Sequence, residues 1–536
     1  MKTSSCAALL ILLLAAVNRV WLIQTDKVAF SSDEAVVGLM ARHITEGKPI
    51  PTFYYGQHYM GSLDAVLVAI GFEVLGESVR SIRYVQLVLY LLVVWTGYLL
   101  AYEVSRRRSV ALVTALLLAV PSMLGTTYTT LTLGGYNEIL LLGNLALLLG
   151  WQVTVGKSET PWRWFALGFF LGVGWWVNGT IITPLVIVGL MGLRCFSSSK
   201  WRLYGLAGAG FFIGGGLWWL YNFRHDWQAL EFLFSDQLPP DTEPLSLPAK
   251  LIAFLFIGLP GLYGFRFPWA ASYYVSLLSL LAALVYLLLV SHRVTNVYAH
   301  LRYGKINKTA PSDSQVITPA RWVWLSFFVL GAIFMLSTFQ DATGRYLLPI
   351  WLPAMIGVAM SLMQLKHWAF RAGLLALLVT FHLGTTFTTA KSEVGIEPQL
   401  ASGLQADARY DAELLAFLEE EGYEYGYASY WVSYRLMFRT GEQVIFDTSL
   451  PYDEKGYRAH NNRYLPYVER VRQAARVVWI TQNFPALDNR IAAVLAENNV
   501  TYQTRDFGPY RVYYNFSERV APADFHLNSQ KPLDET

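Results

Sequence analysis

The chain has almost no cysteine and little charge. Of its 536 residues only two are cysteines, Cys6 in one apolar run and Cys195 at the end of another, which excludes a disulfide framework and a thiolate metal site. Charged side chains make up 15% of the sequence against 54% hydrophobic and 15% aromatic residues, far from the balance of a soluble domain. The net charge is only +3, and Lys and Arg are scattered over many short segments, so no basic patch for nucleic acid forms. The polar C-terminal part contains no GxGxxG, P-loop or GxSxG pattern. Carboxylates, His, Arg and Tyr remain for chemistry, on a chain whose mean hydropathy of +0.35 is that of an integral membrane protein.

Apolar runs of spanning length lie near residues 7–24, 84–104, 109–124, 136–154, 162–176, 180–194, 203–222, 272–291, 320–337, 346–364 and 371–389. They predict a polytopic α-helical membrane protein with about 11 transmembrane helices. Basic residues gather in alternate loops: Arg106, Arg107 and Arg108; Lys157 and Arg163; Arg194, Lys200 and Arg202; Arg293, Arg302, Lys305, Lys308 and Arg321; Lys366 and Arg371. By the positive-inside rule these loops are cytoplasmic, so the intervening ones are external. The external set holds Asp33 and Glu34, "TLTLGGYNE", the stretch from Phe223 to Trp269, and "STFQDATGRY". The apolar stretch "LIAFLFIGLPGLYGF" would break this alternation if it crossed, so it reads as a re-entrant or interfacial helix interrupted by Gly258, Pro260 and Gly261. Lys2 followed by an apolar core also has the pattern of a cleaved leader, which would leave the rest of the topology unchanged.

After Ala390 the sequence becomes charged and tyrosine-rich and has no further membrane run. The expected organisation is a membrane domain over 1–390, with a large first external loop at 25–83, and a soluble external α/β domain over 391–536. "DAELLAFLEEEG", "NNRYLPYVERVRQAA" and "LDNRIAAVLAENN" have helical spacing, while "YGYAS", "QVIFDT", "RVVWIT" and "YRVYYN" read as strands. Their alternation predicts an α/β layer domain that serves as a lid or binding module.

Three acid or arginine positions stand at external span ends, where charge is costly unless it is paired or used. Asp33 and Glu34 follow Ser31 and Ser32, which could cap a helix whose first turn carries the acids. Downstream, "PTFYYGQHYMGSLDA" is dense in Tyr54, Tyr55, Gln57, His58 and Tyr59, a composition suited to a sugar's apolar faces and hydroxyls or, equally, to an interfacial aromatic belt. Glu138 opens a later span and reads either as a helix-start acid or as a site acid. Arg345 and Tyr346 precede another span, where a guanidinium either snorkels or meets a lipid-linked phosphate.

The acids in "SSDEA" after the first span, the Gly- and Tyr-rich continuation, the acid opening a later span and the "GRYLLPI" segment before a late one together resemble the GT-C superfamily of membrane glycosyltransferases. The likeness is greatest to the bacterial branch related to protein O-mannosyltransferases and lipid A aminoarabinose transferases, and it covers roughly residues 1–390. The resemblance implies that Asp33 is the general base, that Glu34 is its companion, that Glu138 is the acid of the second external loop, and that Arg345 contacts the carrier-lipid phosphate. One departure is "WWVNGTIITP", where Asn178 stands near a span break at which relatives often carry a Lys.

The expected function is transfer of a hexosyl or pentosyl sugar from a polyprenyl-phosphate donor to a hydroxyl acceptor on a lipid, protein or glycan. The reaction is expected at the external, periplasmic face of a bacterial cytoplasmic membrane. Arg345, Tyr346 and Glu138 would bind the donor, and Tyr54, Tyr55, Gln57, His58 and Tyr59 would line the sugar or lipid path. No cofactor is assigned; a divalent cation is conceivable, with Glu34, Glu138 and His58 as ligands. The rivals are a membrane transporter or lipid flippase, weakly favoured by the break at "WWVNGT", and a catalytically idle membrane protein whose external domain binds a partner.

Overall fold

The computed structural model describes residues 2–234, 245–270, 272–303, 317–337, 343–393, 395–398 and 409–529. Each apolar run with a described backbone is helical. Along the chain run α1 (Lys2–Gln24), α2 (Ser32–Thr45), α3 (Leu63–Leu75), α4 (Val79–Ser105), α5 (Arg108–Ala119), α6 (Met123–Thr130) and α7 (Tyr136–Thr154). There follow α8 (Pro161–Val177), α9 (Ile182–Arg194), α10 (Trp201–Gly214), α11 (Gly216–Arg224), α12 (Gln228–Phe234), α13 (Leu247–Ala253) and α14 (Leu259–Leu262). The last of the apolar set are α15 (Leu277–Tyr303), α16 (Pro319–Leu336), α17 (Trp351–Leu362) and α18 (Trp368–Ala390). The chain forms two compact units: Met1–Thr25 with Tyr59–Leu63 and Arg83–Lys391, and Asp26–His58 with Asp64–Ile82 and Ser392–Thr536.

Among the described residues five helical segments are long and apolar enough to cross a membrane: Cys6–Gln24, Val79–Ser105, Pro319–Leu336, Arg345–Leu362 and Trp368–Ala390. Two more count if each bent pair is one span, α5 with α6 at 72° and the segment ending in α10 with α11 at 64°. The protein is therefore multi-pass, with up to seven spans by length and hydropathy where the runs predict about 11. Part of the difference lies in breaks within runs. Pro121 parts α5 from α6, and Asn178 ends α8 at 17 residues.

The close approach of α8 and α10 in the first unit follows from glycine on both helices. A Cβ at Gly168 would stand 1.8 Å from the Ala207 carbonyl oxygen, and one at Gly210 would stand 2.2 Å from that of Phe165. This is the small-residue packing expected where lipid supplies no hydrophobic drive. Gly168→Val is expected to force the helices apart and lower the melting temperature of the purified protein, whereas Gly189→Ala, with nothing within 4 Å of its Cβ inside α9, should not lower it. Equal melting temperatures for the two variants would contradict this packing.

The stretch expected to be interrupted at Gly258, Pro260 and Gly261 is instead helical from Leu247 to Leu262, with a π-helical turn at Phe254–Gly258 joining α13 to α14. Pro260 cannot donate to the carbonyl four residues back, that of Phe256. The Tyr273 hydroxyl donates to that oxygen at 2.5 Å, and the wider π turn absorbs the misfit.

In the second unit the C-terminal residues form α19 (Asp411–Glu420), β1 (Tyr425–Ala428), α20 (Tyr430–Arg439), β2 (Ile445–Asp447), α21 (Leu465–Gln473), β3 (Val478–Gln482), α22 (Pro485–Glu497), β4 (Gln503–Phe507) and β5 (Tyr510–Tyr514). The sheet order is β2-β1-β3-β5-β4. β1 is parallel to β2 and β3, with Tyr427 opposite both Asp447 and Trp479, while β5 runs antiparallel to β3 and β4. α2 packs along α20 in the same direction: Ser32 Oγ donates to the Tyr430 carbonyl near one end, and Arg42 Nη2 donates to the Phe438 carbonyl near the other. Gly38 lies at this contact, because a Cβ there would meet the Phe438 ring at 2.6 Å.

Candidate functional site

The second unit holds the acids of the first polar loop. Ser31 caps α2 by accepting from the Glu34 N–H at 3.3 Å, so the acids occupy the first turn as expected. Their environments differ: Glu34 is fully buried, and Asp33 is half-buried. Asp33 Oδ1 accepts from the Tyr430 hydroxyl at 2.5 Å, and the Asp33 carbonyl accepts from Tyr54 Oη at 3.2 Å. Among the described residues Asp33 Oδ2 has no hydrogen-bond partner, which leaves one carboxylate oxygen to accept a proton.

Burial and the neighbouring Asp33 charge push the Tyr430 hydroxyl well above its ordinary value, and burial with Tyr430 and Asp33 does the same for Tyr54. Both stay protonated and act as donors. The Arg463 guanidinium lies over the rings of Tyr430 and Tyr54, 5.2 and 5.8 Å from their centroids.

The aromatic segment does not converge on Asp33 as a block. Tyr54 borders it, whereas Tyr55 turns to His43 and accepts or donates at 2.8 Å to Nδ1. His58 stacks on Phe53 at 6.2 Å, and the Gln57 N–H closes a turn to the Tyr54 carbonyl. Tyr59 falls in the first unit, where it stacks on Phe232 at 4.8 Å. Tyr430 and Arg463 went unnoticed in the sequence because they follow Asp33 by some four hundred residues; the one local signal was a cluster of Tyr and Arg beside predicted strands.

The first unit holds the other candidates. Glu138 is buried in the first turn of α7, behind Gly134 and Gly135, whose φ values of +95° and +78° admit only a glycine-like backbone. Asn178, in the "WWVNGT" segment, is a cap and a strut. Its Oδ1 accepts from the Thr180 N–H at 3.0 Å, and its Nδ2 donates to the Gly134 carbonyl at 3.1 Å, fixing the turn that presents Glu138. The 3-10 turn Arg345–Ile350 packs on α6, α7 and α9, so the elements bearing Glu138 and Arg345 adjoin. Arg345 lies 5.2 Å from the Tyr346 ring centroid, and its backbone N–H donates to Thr343 Oγ1, which also accepts from Tyr128 Oη. Asp341 lies outside the described residues.

No protein-family model matches the chain, and no curated protein sequence matches it. The fold does have solved counterparts. ArnT from Cupriavidus metallidurans in the apo state superposes with a TM-score of 0.63 and 13% identity, over 94% of this chain and 97% of that one. The same protein bound to undecaprenyl phosphate gives 0.58 and 12%, over 95% and 98%. Arabinofuranosyltransferase AftD from Mycobacteria gives 0.53 and 12%, over 96% of this chain and 40% of that one. At such identities the likeness is one of fold alone, the fold this chain shares with ArnT and AftD.

Proposed function

We propose that the chain is a glycosyltransferase moving a pentosyl or hexosyl sugar from a polyprenyl-phosphate donor to a hydroxyl acceptor on the external face of the membrane. The observation that carries this is Asp33, a carboxylate at a capped helix start with one oxygen held by Tyr430 and the other unbonded among the described residues. The GT-C fold and the undecaprenyl phosphate bound to one protein that shares it support the donor class.

In this reading the acceptor O–H proton passes to Asp33 Oδ2 as the acceptor oxygen bonds the anomeric carbon and the carbon–phosphate oxygen bond breaks. The released phosphate is neutralised by Arg345 beside Tyr346, with Glu138 on the adjoining helix helping to order the donor. Glu34, buried behind Asp33, is the supporting acid. Tyr54 borders the sugar, and Tyr55, Gln57, His58 and Tyr59 belong to the wider sugar or lipid path.

The test is a panel of polyprenyl-phosphate sugars offered to the purified protein, scored for free polyprenyl phosphate and glycosylated product. Proteoliposomes that flip the lipid without transferring any sugar would replace this reading with the flippase. Within it, Arg345→Ala should raise the apparent donor KM about 10- to 100-fold, the loss of one hydrogen bond to a charged group, and leave the acceptor KM unchanged.

A further inference from the structure

At the end of α2 opposite to Asp33 lies a second group of donor side chains, His43, Glu46 and Glu442. We propose that His43, Glu46 and Glu442 form a divalent transition-metal site, of the zinc class, that clips the end of α2 to the turn after α20. Among the described residues this is the one group of three His, Cys, Asp or Glu donors whose ligand atoms all lie within 4.8 Å of one another. It lies within one compact unit.

The spacing suits a shared ion. Two ligands about 2.0 Å from a tetrahedral metal stand roughly 3.3 Å apart. His43 Nε2 and Glu442 Oε1 are 3.2 Å apart, at the long limit for a plain hydrogen bond. One imidazole with two carboxylates favours zinc over magnesium, which avoids nitrogen, and three protein ligands leave a fourth position for water.

The surroundings supply what a bound imidazole and carboxylate need. His43 is buried, with Nδ1 2.8 Å from Tyr55 Oη and its ring packed against Tyr464 at 4.9 Å, so one orientation is fixed and Nε2 is aimed at the glutamate. Tyr467 Oη donates to Glu442 Oε1 at 2.8 Å, orienting that carboxylate. The nearby cations are themselves matched: Arg42 bonds Glu77 as well as Glu442 Oε2, and Lys48 pairs with Glu46 Oε2, leaving Glu46 its other oxygen.

The consequence is mechanical. α2 and α20 are already tied at their first turns through Ser32 and Asp33 to Tyr430. A metal at their far ends would fix the register of the two helices, and with it the Asp33–Tyr430 contact. The site stands whether or not the chain transfers sugars, because its test reads metal and not activity.

The experiment uses the full chain without a histidine tag, stripped with EDTA and titrated with Zn2+ and with Co2+. The expected result is one Zn2+ per chain, a visible d–d absorption with Co2+, and a melting temperature raised by a few degrees. His43→Gln and Glu442→Gln should lose all three, and Tyr55→Phe should bind about 10- to 100-fold more weakly while remaining folded. Absence of metal uptake by the wild-type chain, or uptake unchanged in His43→Gln and Tyr55→Phe, would overturn the proposal and leave His43 and Glu442 as a hydrogen-bonded pair.

Discussion

Replacing Asp33 with Asn is expected to lower the rate of sugar transfer by about 10²- to 10⁴-fold, the range supplied by a positioned general base. The substitution is close to isosteric. An Asn keeps an Oδ1 acceptor for Tyr430, so the 2.5 Å contact and the cap at Ser31 survive, and only the capacity to take a proton is removed. Asp33→Ala should be at least as slow and should also strand the buried Tyr430 hydroxyl, whose high pKa keeps it a donor. Tyr430→Phe leaves the carboxylate in place without its holder, and a fall of about 10-fold, roughly 1.4 kcal/mol, is expected. The measurement is kcat at saturating donor with equal amounts of folded protein in the membrane. Full transfer by Asp33→Asn would remove Asp33 from the role of base, and a Tyr430→Phe defect larger than that of Asp33→Asn would move the chemistry to the tyrosine.

Much of this site was legible along the chain because its signals are local. Ser31 preceding two acids is a cap pattern that depends only on the first helical turn, and Glu138 after two glycines is another helix start. What was not legible is pairing across long separations. Asp33 meets Tyr430 and His43 meets Glu442 only because α2 lies along α20, and no periodicity in either helix encodes its partner. The aromatic run shows the same limit at short range: Tyr54 and Tyr55 are neighbours in sequence, yet one contacts Asp33 and the other His43. Asn178 looked like the loss of a phosphate contact; its Oδ1 accepts from the Thr180 N–H, a capping task that a Lys, which has no acceptor, could not perform.

The fold follows the same division. Four of the five strands are apolar or aromatic and were readable, whereas β4, "QTRDF", is an exposed edge with only Phe507 buried, so its composition is that of a loop. The helix α20, "YWVSYRLMFR", was missed for the opposite reason. It is buried over most of its circumference, and its run of aromatic residues has the composition of a strand. At Pro260 the expectation of a break failed because the Tyr273 hydroxyl, thirteen residues away, satisfies the carbonyl that the proline orphans.

The largest loss of stability is expected in the C-terminal α/β layer, at a charge pair that no active-site argument touches. Arg435 on α20 and Asp411 at the start of α19 are each about 1% exposed and form an ion pair at 3.3 Å. Tyr510 completes a triangle, donating to Asp411 Oδ1 at 2.8 Å and accepting from Arg435 Nη2 at 2.6 Å, and Arg439 adds a second cation 3.4 Å from Asp411. Removing Arg435 leaves the buried Asp411 with only the partly exposed Arg439 as a cation, so Arg435→Met should cost about 3 kcal/mol and lower the unfolding temperature of this unit by roughly 10 °C. Replacing the whole set is a different perturbation. Arg435→Met with Asp411→Leu and Tyr510→Phe removes the three groups of the triangle, Arg439 at 31% exposure can turn to water, and desolvation of the pair is no longer required, so most of the loss should be recovered. Thermal unfolding of the full chain, followed by protease susceptibility of the C-terminal residues, separates the cases: a triple variant no more stable than Arg435→Met would mean that Arg435 acts through the packing of its stem along α20 rather than through its charge.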